Sequence, residues 1–367
     1  MLSLRQKLGQ MLIMGFPGCD IGPESAVVSW IKKDGLGGVL LFDKDLSTGC
    51  DGKNIRNREQ VIRLTRQLQD LSDRSGDDEQ RLPLFVSIDY EGGAVDRLGQ
   101  MDGSIKTISA HEQALLSHEA LISEYETMAS ELQHLGFNLN FAPVVDLNLN
   151  DKQGIIGQRG RSFSKDSSEV IRMSKAFVST FARYGIACAY KHFPGHGSAV
   201  GDTHLGFVDV TDSYDPNELL PYQTLLKDET LPQTLVMTAH VINRQLDASG
   251  LPATLSHPIL TDLLRHAMGF EGLIISDDLQ MQAISEHYSL EDALRLTINA
   301  GADLMIFANQ LDFIEASVVV DCMERLVNTG AIELRLIEQA YQRISYFKQK
   351  QVIIPDAIIQ LMGRDIN

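Results

Sequence analysis

The sequence contains few cysteines, and none of them form a paired motif. Four occur in 367 residues, with no Cys-x-x-Cys spacing: Cys19, Cys50, Cys188 and Cys322. Zinc ribbons and disulfide-stapled domains both depend on closely spaced cysteines, so the sequence indicates neither class. We therefore expect reduced thiols, as in a cytoplasmic protein.

Long hydrophobic runs and basic clusters are also missing. No stretch approaches the roughly 20 apolar residues of a membrane-spanning helix, and residues 1 to 18 lack the basic, apolar and cleavage regions of a secretory signal. The 32 lysines and arginines are scattered and are outnumbered by 49 acidic residues, for a formal net charge of −17. Because nucleic-acid binding relies on clustered cations, we expect a cytoplasmic protein with no nucleic-acid or membrane partner.

The sequence does contain eight short, apolar, β-rich runs separated by longer segments. They cover residues 11 to 16, 37 to 42, 84 to 89, 139 to 147, 187 to 193, 235 to 241, 272 to 278 and 303 to 307. Near-continuous apolar runs are typical of parallel strands that are covered on both faces. Strand followed by helix, repeated eight times, predicts an α/β fold, the (β/α)8 TIM-type barrel.

Two of the segments between the runs show clear helical signals. Residues 111 to 136 carry apolar side chains three and four apart and end at Gly136, while residues 289 to 301 begin at Ser289 and end at Gly301. We expect a single domain over residues 1 to 367. Its motif-bearing core spans about 8 to 308, the last helices lie within 309 to 367, and the apolar tail packs against the barrel or a partner chain.

Ionisable residues end five of the eight predicted strands. They are Asp89, Asp146, Lys191 with His192, His240, and Asp277 with Asp278. Since barrel active sites form at the carboxyl ends of the strands, these side chains are expected to surround one mouth. The pattern leaves open whether Asp146 merely binds loop amides and whether His240 is a satisfied core histidine.

The motif residues suggest different roles at this mouth. Asp89 and Arg97 form a carboxylate and guanidinium pair suited to binding hydroxyls, with Glu91 supporting the turn between them. Asp277 leaves a strongly hydrophobic strand and is expected to be a nucleophile or general base. Strand alternation turns Asp278 the opposite way, so we expect it to cap the following helix.

The segment KHFPGHGSAVGDTHLGF, residues 191 to 207, admits three interpretations. A metal site would use five residues: His192, His196, Asp202, His204 and Asp277. However, Pro194 and Gly195 break any helix that would align the first two histidines. A phosphate loop would need the GxxxxGK[ST] pattern, which is missing.

The third interpretation is a histidine proton carrier oriented by a carboxylate. Asp202 and His204 are two residues apart, which places both side chains on one side of an extended segment. The glycines at 195, 197 and 201 would let this loop swing over a bound substrate.

Six motifs together resemble glycoside hydrolase family 3, and more narrowly its single-domain bacterial β-N-acetylglucosaminidases. In chain order, within about residues 8 to 308, they are IDYEGGAVDRL, LNFAPVVDL, GRSFS, KHFPGHG with DTH, PATLS and GLIISDDLQM. The resemblance implies a retaining exo-β-N-acetylglucosaminidase (β-N-acetylhexosaminidase) that needs no metal or cofactor.

The resemblance also assigns roles residue by residue. Asp277 becomes the nucleophile, and His204 the acid/base assisted by Asp202. The implied substrate-binding residues are Asp89, Arg97, Arg161, Lys191 and His192, with the choice between Arg159 and Arg161 left open. His196 is interpreted as a structural residue in its turn.

The expected partners are N-acetylglucosamine-containing glycans or muropeptides, in peptidoglycan recycling, with the enzyme a monomer or weak homodimer. Phosphorolysis stays an alternative, because a neutral imidazole would not repel a phosphate acceptor. The remaining alternatives are another β-glycosidase of the same family, a metal-dependent barrel hydrolase and an inactive sugar-binding protein.

Overall fold

A computed structural model describes residues 2 to 73, 82 to 201 and 206 to 351. Eight parallel strands close into a barrel: β1 Leu12–Met14, β2 Gly38–Leu40, β3 Phe85–Ile88, β4 Leu139–Asn140, β5 Ala187–Phe193, β6 Leu235–Thr238, β7 Leu273–Asp278 and β8 Leu304–Phe307. Neighbours in the chain are neighbours in the barrel, and β1 closes it by pairing with β8, Leu12 opposite Met305. The predicted barrel is confirmed, and each predicted run contains one barrel strand.

Helices surround the strands. The α-helices are Leu4–Gln10, Ala26–Ser29, Arg58–Asp73, Ala110–Gln113, His118–His134, Ile155–Gln158, Ser167–Arg183, Leu220–Leu225, Gln282–Ser285, Leu290–Ala300, Ala316–Asn328 and Leu334–Gln351. Trp30–Asp34 and Pro258–Ala267 are π-helical, and Pro216–Leu219 and Ala253–Leu255 are 3-10 turns. Two small ribbons pair Tyr90–Gly92 with Val95–Asp96, and Val208–Asp209 with Val241–Ile242.

The helical signals are partly corrected. Residues 111 to 136 form two helices rather than one, because the Ser117 hydroxyl accepts the Ala120 N–H and starts a new helix. That helix ends before Gly136, whose φ of 83° lies in the left-handed region. The second prediction is confirmed, since Ser289 caps Leu290–Ala300 and Gly301 ends it with φ 109°.

The barrel floor holds a buried lysine on the last described helix. Lys348 is fully buried and its Nζ donates to Gln10 Oε1 at 2.9 Å and to the Gly37 carbonyl at 2.7 Å. Burial lowers the pKa of Lys348 to about 7. The contact ties Leu334–Gln351 to the floor of the barrel, while the apolar tail, 352 to 367, lies outside the described residues.

Within the described ranges, no helix has the length and apolar character needed to cross a membrane.

Candidate active site

A pocket of about 490 Å³ opens at the carboxyl ends of the strands. Its lining includes most of the predicted strand-end residues, Asp89, Lys191, His192, Asp277 and Asp278, together with Arg97 and Arg161. The apolar part of the lining includes Phe42 from the β2 end, Phe141 from the β4 end and Met237 from β6. The sequence pattern therefore predicted correctly that these side chains meet at one mouth.

The pocket wall is organised around Glu91. Its carboxylate accepts two hydrogen bonds from Arg161, at 2.9 Å from Nε and 2.7 Å from Nη2, and Lys191 Nζ lies 2.6 Å away. Burial alone would raise the pKa of Glu91, but the two cations outweigh it and hold that pKa well below its usual range. Glu91 is therefore a fixed anion rather than a turn support.

Lys191 and Arg97 extend this cluster toward the pocket mouth. Lys191 Nζ donates to Asp89 Oδ1 at 3.0 Å, and Arg97 lies 3.9 Å from Asp89 and 3.8 Å from Asp43. The six charged residues alternate in sign along one chain of contacts: Asp43, Arg97, Asp89, Lys191, Glu91 and Arg161. We call this set the charge chain.

His192 is held by Asp146. Its Nδ1 lies 2.7 Å from Asp146 Oδ2, and the same carboxylate accepts the backbone N–H groups of His192 and His196. Burial opposes ionisation of Asp146, yet His192 holds the pKa of Asp146 below its usual value. An ionised Asp146 can only accept, so His192 Nδ1 carries the proton and donates to it, while Nε2 lies 3.5 Å from Arg161 Nη2. Asp146 therefore binds loop amides and orients a pocket histidine as well.

The two aspartates at the end of β7 differ in their bonding. Asp278 Oδ1 accepts the backbone N–H groups of Gln280 and Ala308, at 3.1 and 3.0 Å. Asp277 Oδ1 accepts the neighbouring N–H of Asp278 at 2.8 Å. The register between β7 and β8 shifts between Ile275 and Asp278, so simple alternation does not describe this end of the strand.

The expectation that Asp278 caps the next helix is wrong. That helix, Gln282–Ser285, begins after Met281 without a side-chain cap. Asp278 instead fastens the turn that precedes the helix to the segment after β8, through Gln280 and Ala308.

His240 is a satisfied core histidine. It is fully buried, with Nδ1 2.7 Å from Thr254 Oγ1 and Nε2 2.9 Å from the carbonyl of Asp278. Because a carbonyl can only accept, Nε2 carries the proton. His240 therefore supports the end of β7 from behind the pocket lining.

The segment after β5 is packed more tightly than its glycines suggested. A Cβ on Gly195 would lie 2.6 Å from Glu218, and a Cβ on Gly197 would lie 1.9 Å from the Leu147 carbonyl oxygen. Glu218 is buried and accepts the N–H groups of Gly197 and Ser198, at 2.7 and 3.2 Å. These two glycines permit close packing, which corrects the expectation that they confer mobility. Asp202 and His204 lie outside the described residues.

His196 fits the structural role expected of it. It is buried, its ring centroid lies 5.7 Å from that of His192, and burial lowers its pKa to about 4. In the described part of the chain, no three His, Cys, Asp or Glu side chains are grouped so that they could hold a metal ion.

Two pocket residues were missed as functional residues. Asp43 follows the β2 run, so the strand-end rule that found Asp89 also applied to it. Glu91 was noticed but assigned to the turn, because its partners Arg161 and Lys191 are 70 and 100 positions away in the chain and nothing local reveals the pairing.

The fold and the pocket place this protein among the barrel enzymes whose active sites lie at the carboxyl ends of the strands. The family model "Glycosyl hydrolase family 3 N terminal domain" matches residues 3 to 346. The chain belongs to this family of glycoside hydrolases.

Three similar proteins illustrate the relationship. The chain is 31% identical to Beta-hexosaminidase A of Pseudoalteromonas piscicida over 385 residues, which covers 95% of this chain and 61% of that protein's length. It is 31% identical to Beta-hexosaminidase LpqI of Mycobacterium tuberculosis over 361 residues, covering 95% of this chain and 83% of the relative. A solved β-N-acetylglucosaminidase of family 3 from Paenibacillus sp. superposes with a TM-score of 0.82 at 29% identity, covering 99% of this chain and 68% of that one.

Proposed function

We propose that this protein is a retaining exo-β-N-acetylglucosaminidase that removes terminal β-linked N-acetylglucosamine. The observation that carries the proposal is the pocket itself, in which Asp277 shares the barrel mouth with the charge chain and His192. The named β-hexosaminidases among the relatives support the choice of substrate.

The reaction proceeds by double displacement. Asp277 attacks the anomeric carbon and forms a covalent glycosyl ester, while His204 gives a proton to the departing glycosidic oxygen. Neutral His204 then takes a proton from water, which attacks the same carbon and releases the sugar and Asp277. Asp202 orients the imidazole. These two loop roles rest on the sequence pattern and the family resemblance.

The charge chain and His192 hold the sugar. Asp89 and Lys191 offer an acceptor and a donor for hydroxyl groups, and the Arg161 guanidinium is a donor for the hydroxyls and the acetamido group. Because Glu91 and Asp146 fix these groups before substrate arrives, binding needs little reorganisation of the wall. His192 lines the same pocket and, with Nδ1 bound to Asp146, would add Nε2 as an acceptor.

In the cell, we propose that the enzyme acts in the cytoplasm on N-acetylglucosamine-containing muropeptides during peptidoglycan recycling. Comparison of muropeptides in cells with and without the protein tests the role, since loss should cause N-acetylglucosaminyl muropeptides to accumulate.

Hydrolysis of 4-nitrophenyl β-N-acetylglucosaminide, with the corresponding glucoside as control, tests the activity. We expect turnover of the first substrate and little of the second. Equal rates would contradict the specificity, and no turnover of either would favour a sugar-binding protein. Parallel assays with added phosphate, analysed for sugar 1-phosphate, separate hydrolysis from phosphorolysis.

A further inference from the structure

Asp43 brings an incompletely bonded carboxylate to the pocket. It follows the buried residues Leu41 and Phe42 after β2, and its side chain is 15% exposed. Its Oδ1 is buried and has no hydrogen-bond partner among the described residues. A buried acceptor without a partner is unfavourable, and a bound donor would remove that cost.

Arg97 is incompletely bonded beside it. Its Nε is buried and also has no hydrogen-bond partner within the described ranges. Its Nη1 lies 3.8 Å from Asp43 Oδ1, and its guanidinium carbon lies 5.6 Å from the centre of the Phe42 ring. The two charged groups are thus close enough to attract each other but too far apart for a direct hydrogen bond.

A hydroxyl group matches this pair. It can donate its proton to Asp43 Oδ1 and accept a hydrogen bond from Arg97 at the same time. Burial raises the pKa of Asp43, while Arg97 opposes the change. A hydrogen bond from a donor in the pocket would stabilise the ionised carboxylate further.

The order of the strands in the barrel indicates which part of the sugar ring Asp43 would meet. Two strands, β1 and β8, separate β2 from β7, so Asp43 and Asp277 reach the pocket from different walls. With Asp277 at the anomeric carbon, Asp43 meets the far side of the ring.

We propose that Asp43 is a substrate-binding residue that, with Arg97, holds the C3 or C4 hydroxyl of the terminal sugar. This assignment rests on the proposed function. Asp43 would then sense the configuration and substitution of that carbon, and so restrict the enzyme to sugars that carry a free equatorial hydroxyl there.

Substrate deletion combined with mutation tests the contact. The wild type, Asp43→Ala and Asp43→Asn are assayed on 4-nitrophenyl β-N-acetylglucosaminide and on its 3-deoxy and 4-deoxy analogues. Asp45→Ala is the control, because its carboxylate is bonded to Ser47 and does not line the pocket.

We expect the wild type to lose about 10- to 100-fold in kcat/KM on one deoxy analogue, as for loss of one hydrogen bond to a charged group. Asp43→Ala should lose a similar factor on the parent substrate but show no further loss on that analogue. Asp43→Asn should fall between them, and Asp45→Ala should behave as the wild type.

Three results would overturn the assignment. If Asp43→Ala keeps the wild-type kcat/KM on the parent substrate, Asp43 does not contact that substrate. If Asp43→Ala loses an equal further factor in kcat/KM on both analogues, Asp43 supports the fold instead. If the wild type does not turn over the parent substrate, the proposed function is wrong, and the assignment of Asp43, which depends on it, is wrong as well. Unfolding temperatures of all variants identify any that misfold. If Asp43→Ala misfolds, the kcat/KM of Asp43→Asn, whose side chain has nearly the same shape, tests the assignment.

Discussion

Glu91 and Arg161 face each other across the pocket wall through two hydrogen bonds, 2.9 and 2.7 Å long, although they lie 70 residues apart in the chain. Glu91→Gln would leave Arg161 and Lys191 without their shared anion. We expect a loss of about 3 to 5 kcal/mol in the free energy of unfolding, as for other broken buried ion pairs, and a fall in kcat/KM of at least 100-fold. Urea denaturation and steady-state kinetics measure both effects. The exposed Glu119→Gln is the control, and a Glu91→Gln variant with normal stability and activity contradicts the role.

The link between Asp146 and His192 should matter for catalysis. In Asp146→Asn the side chain offers His192 Nδ1 a neutral NH2 donor as well as a carbonyl acceptor, so the imidazole is no longer fixed in one tautomer and orientation. We expect kcat/KM to fall by about 100-fold. Because the two residues act as a unit, Asp146→Asn combined with His192→Ala should be little worse than His192→Ala alone. Additive losses in this double-mutant cycle would show that Asp146 acts elsewhere.

Asp277 and Asp278 should respond differently to substitution. Asp277→Ala is expected to lower kcat by 10 000-fold or more, since the covalent step disappears. Added azide should restore turnover of the nitrophenyl substrate and give the α-glycosyl azide, because azide takes the place of the carboxylate. Asp278→Ala should mainly lower stability by about 1 to 3 kcal/mol, since the Gln280 and Ala308 amides lose their acceptor. Azide rescue of Asp278→Ala instead would reverse the assignment.

His204 is expected to matter in proportion to the need for acid assistance. His204→Ala should slow substrates with poor leaving groups far more than nitrophenyl substrates, because only the former require protonation of the glycosidic oxygen. A plot of log kcat/KM against leaving-group pKa should be steep for the variant and shallow for the wild type. Parallel plots would exclude His204 as the acid.

Lys348 should make stability depend on pH. Its pKa is about 7 in the folded protein and near its ordinary value of 10.5 when unfolded, so the unfolded chain binds more protons between these limits. The free energy of unfolding should therefore rise with pH from about 7 to 10.5, with a contribution of up to about 1.4 kcal/mol per pH unit. Below pH 7 both states bind the proton, so Lys348 lowers stability by a constant amount and adds no pH dependence. Lys348→Met should remove this contribution, whereas the exposed Lys350→Met should keep it. An identical pH profile for Lys348→Met and the wild type would contradict the prediction.

The sequence predicted the barrel well because the relevant signal is local. Continuous apolar runs such as 187 to 193 mark strands covered on both faces, and β5 has all seven residues buried. The split of the 111 to 136 helix was missed, since Ser117 is as compatible with a helix interior as with a cap until its neighbours are known.

The site was predictable only where function follows directly from position in a strand. Asp89, Lys191 and Asp277 were found as charged residues that end apolar runs. The partners of Glu91 and Glu218 could not be found in this way, because their hydrogen bonds reach segments brought close only by closure of the barrel and the packing of its loops.

The charge chain has a consequence for selectivity beyond the individual contacts. Its three anions, Asp43, Asp89 and Glu91, are balanced by three cations, Arg97, Lys191 and Arg161. The wall is therefore formally neutral, although the whole chain carries a charge of −17. Alternating hydrogen-bond donors and acceptors suit an uncharged polyol, because each hydroxyl group can both donate and accept a hydrogen bond. The proposed terminal sugar would therefore meet a neutral wall, and the protein's long-range field would act only on charges in the group attached to that sugar.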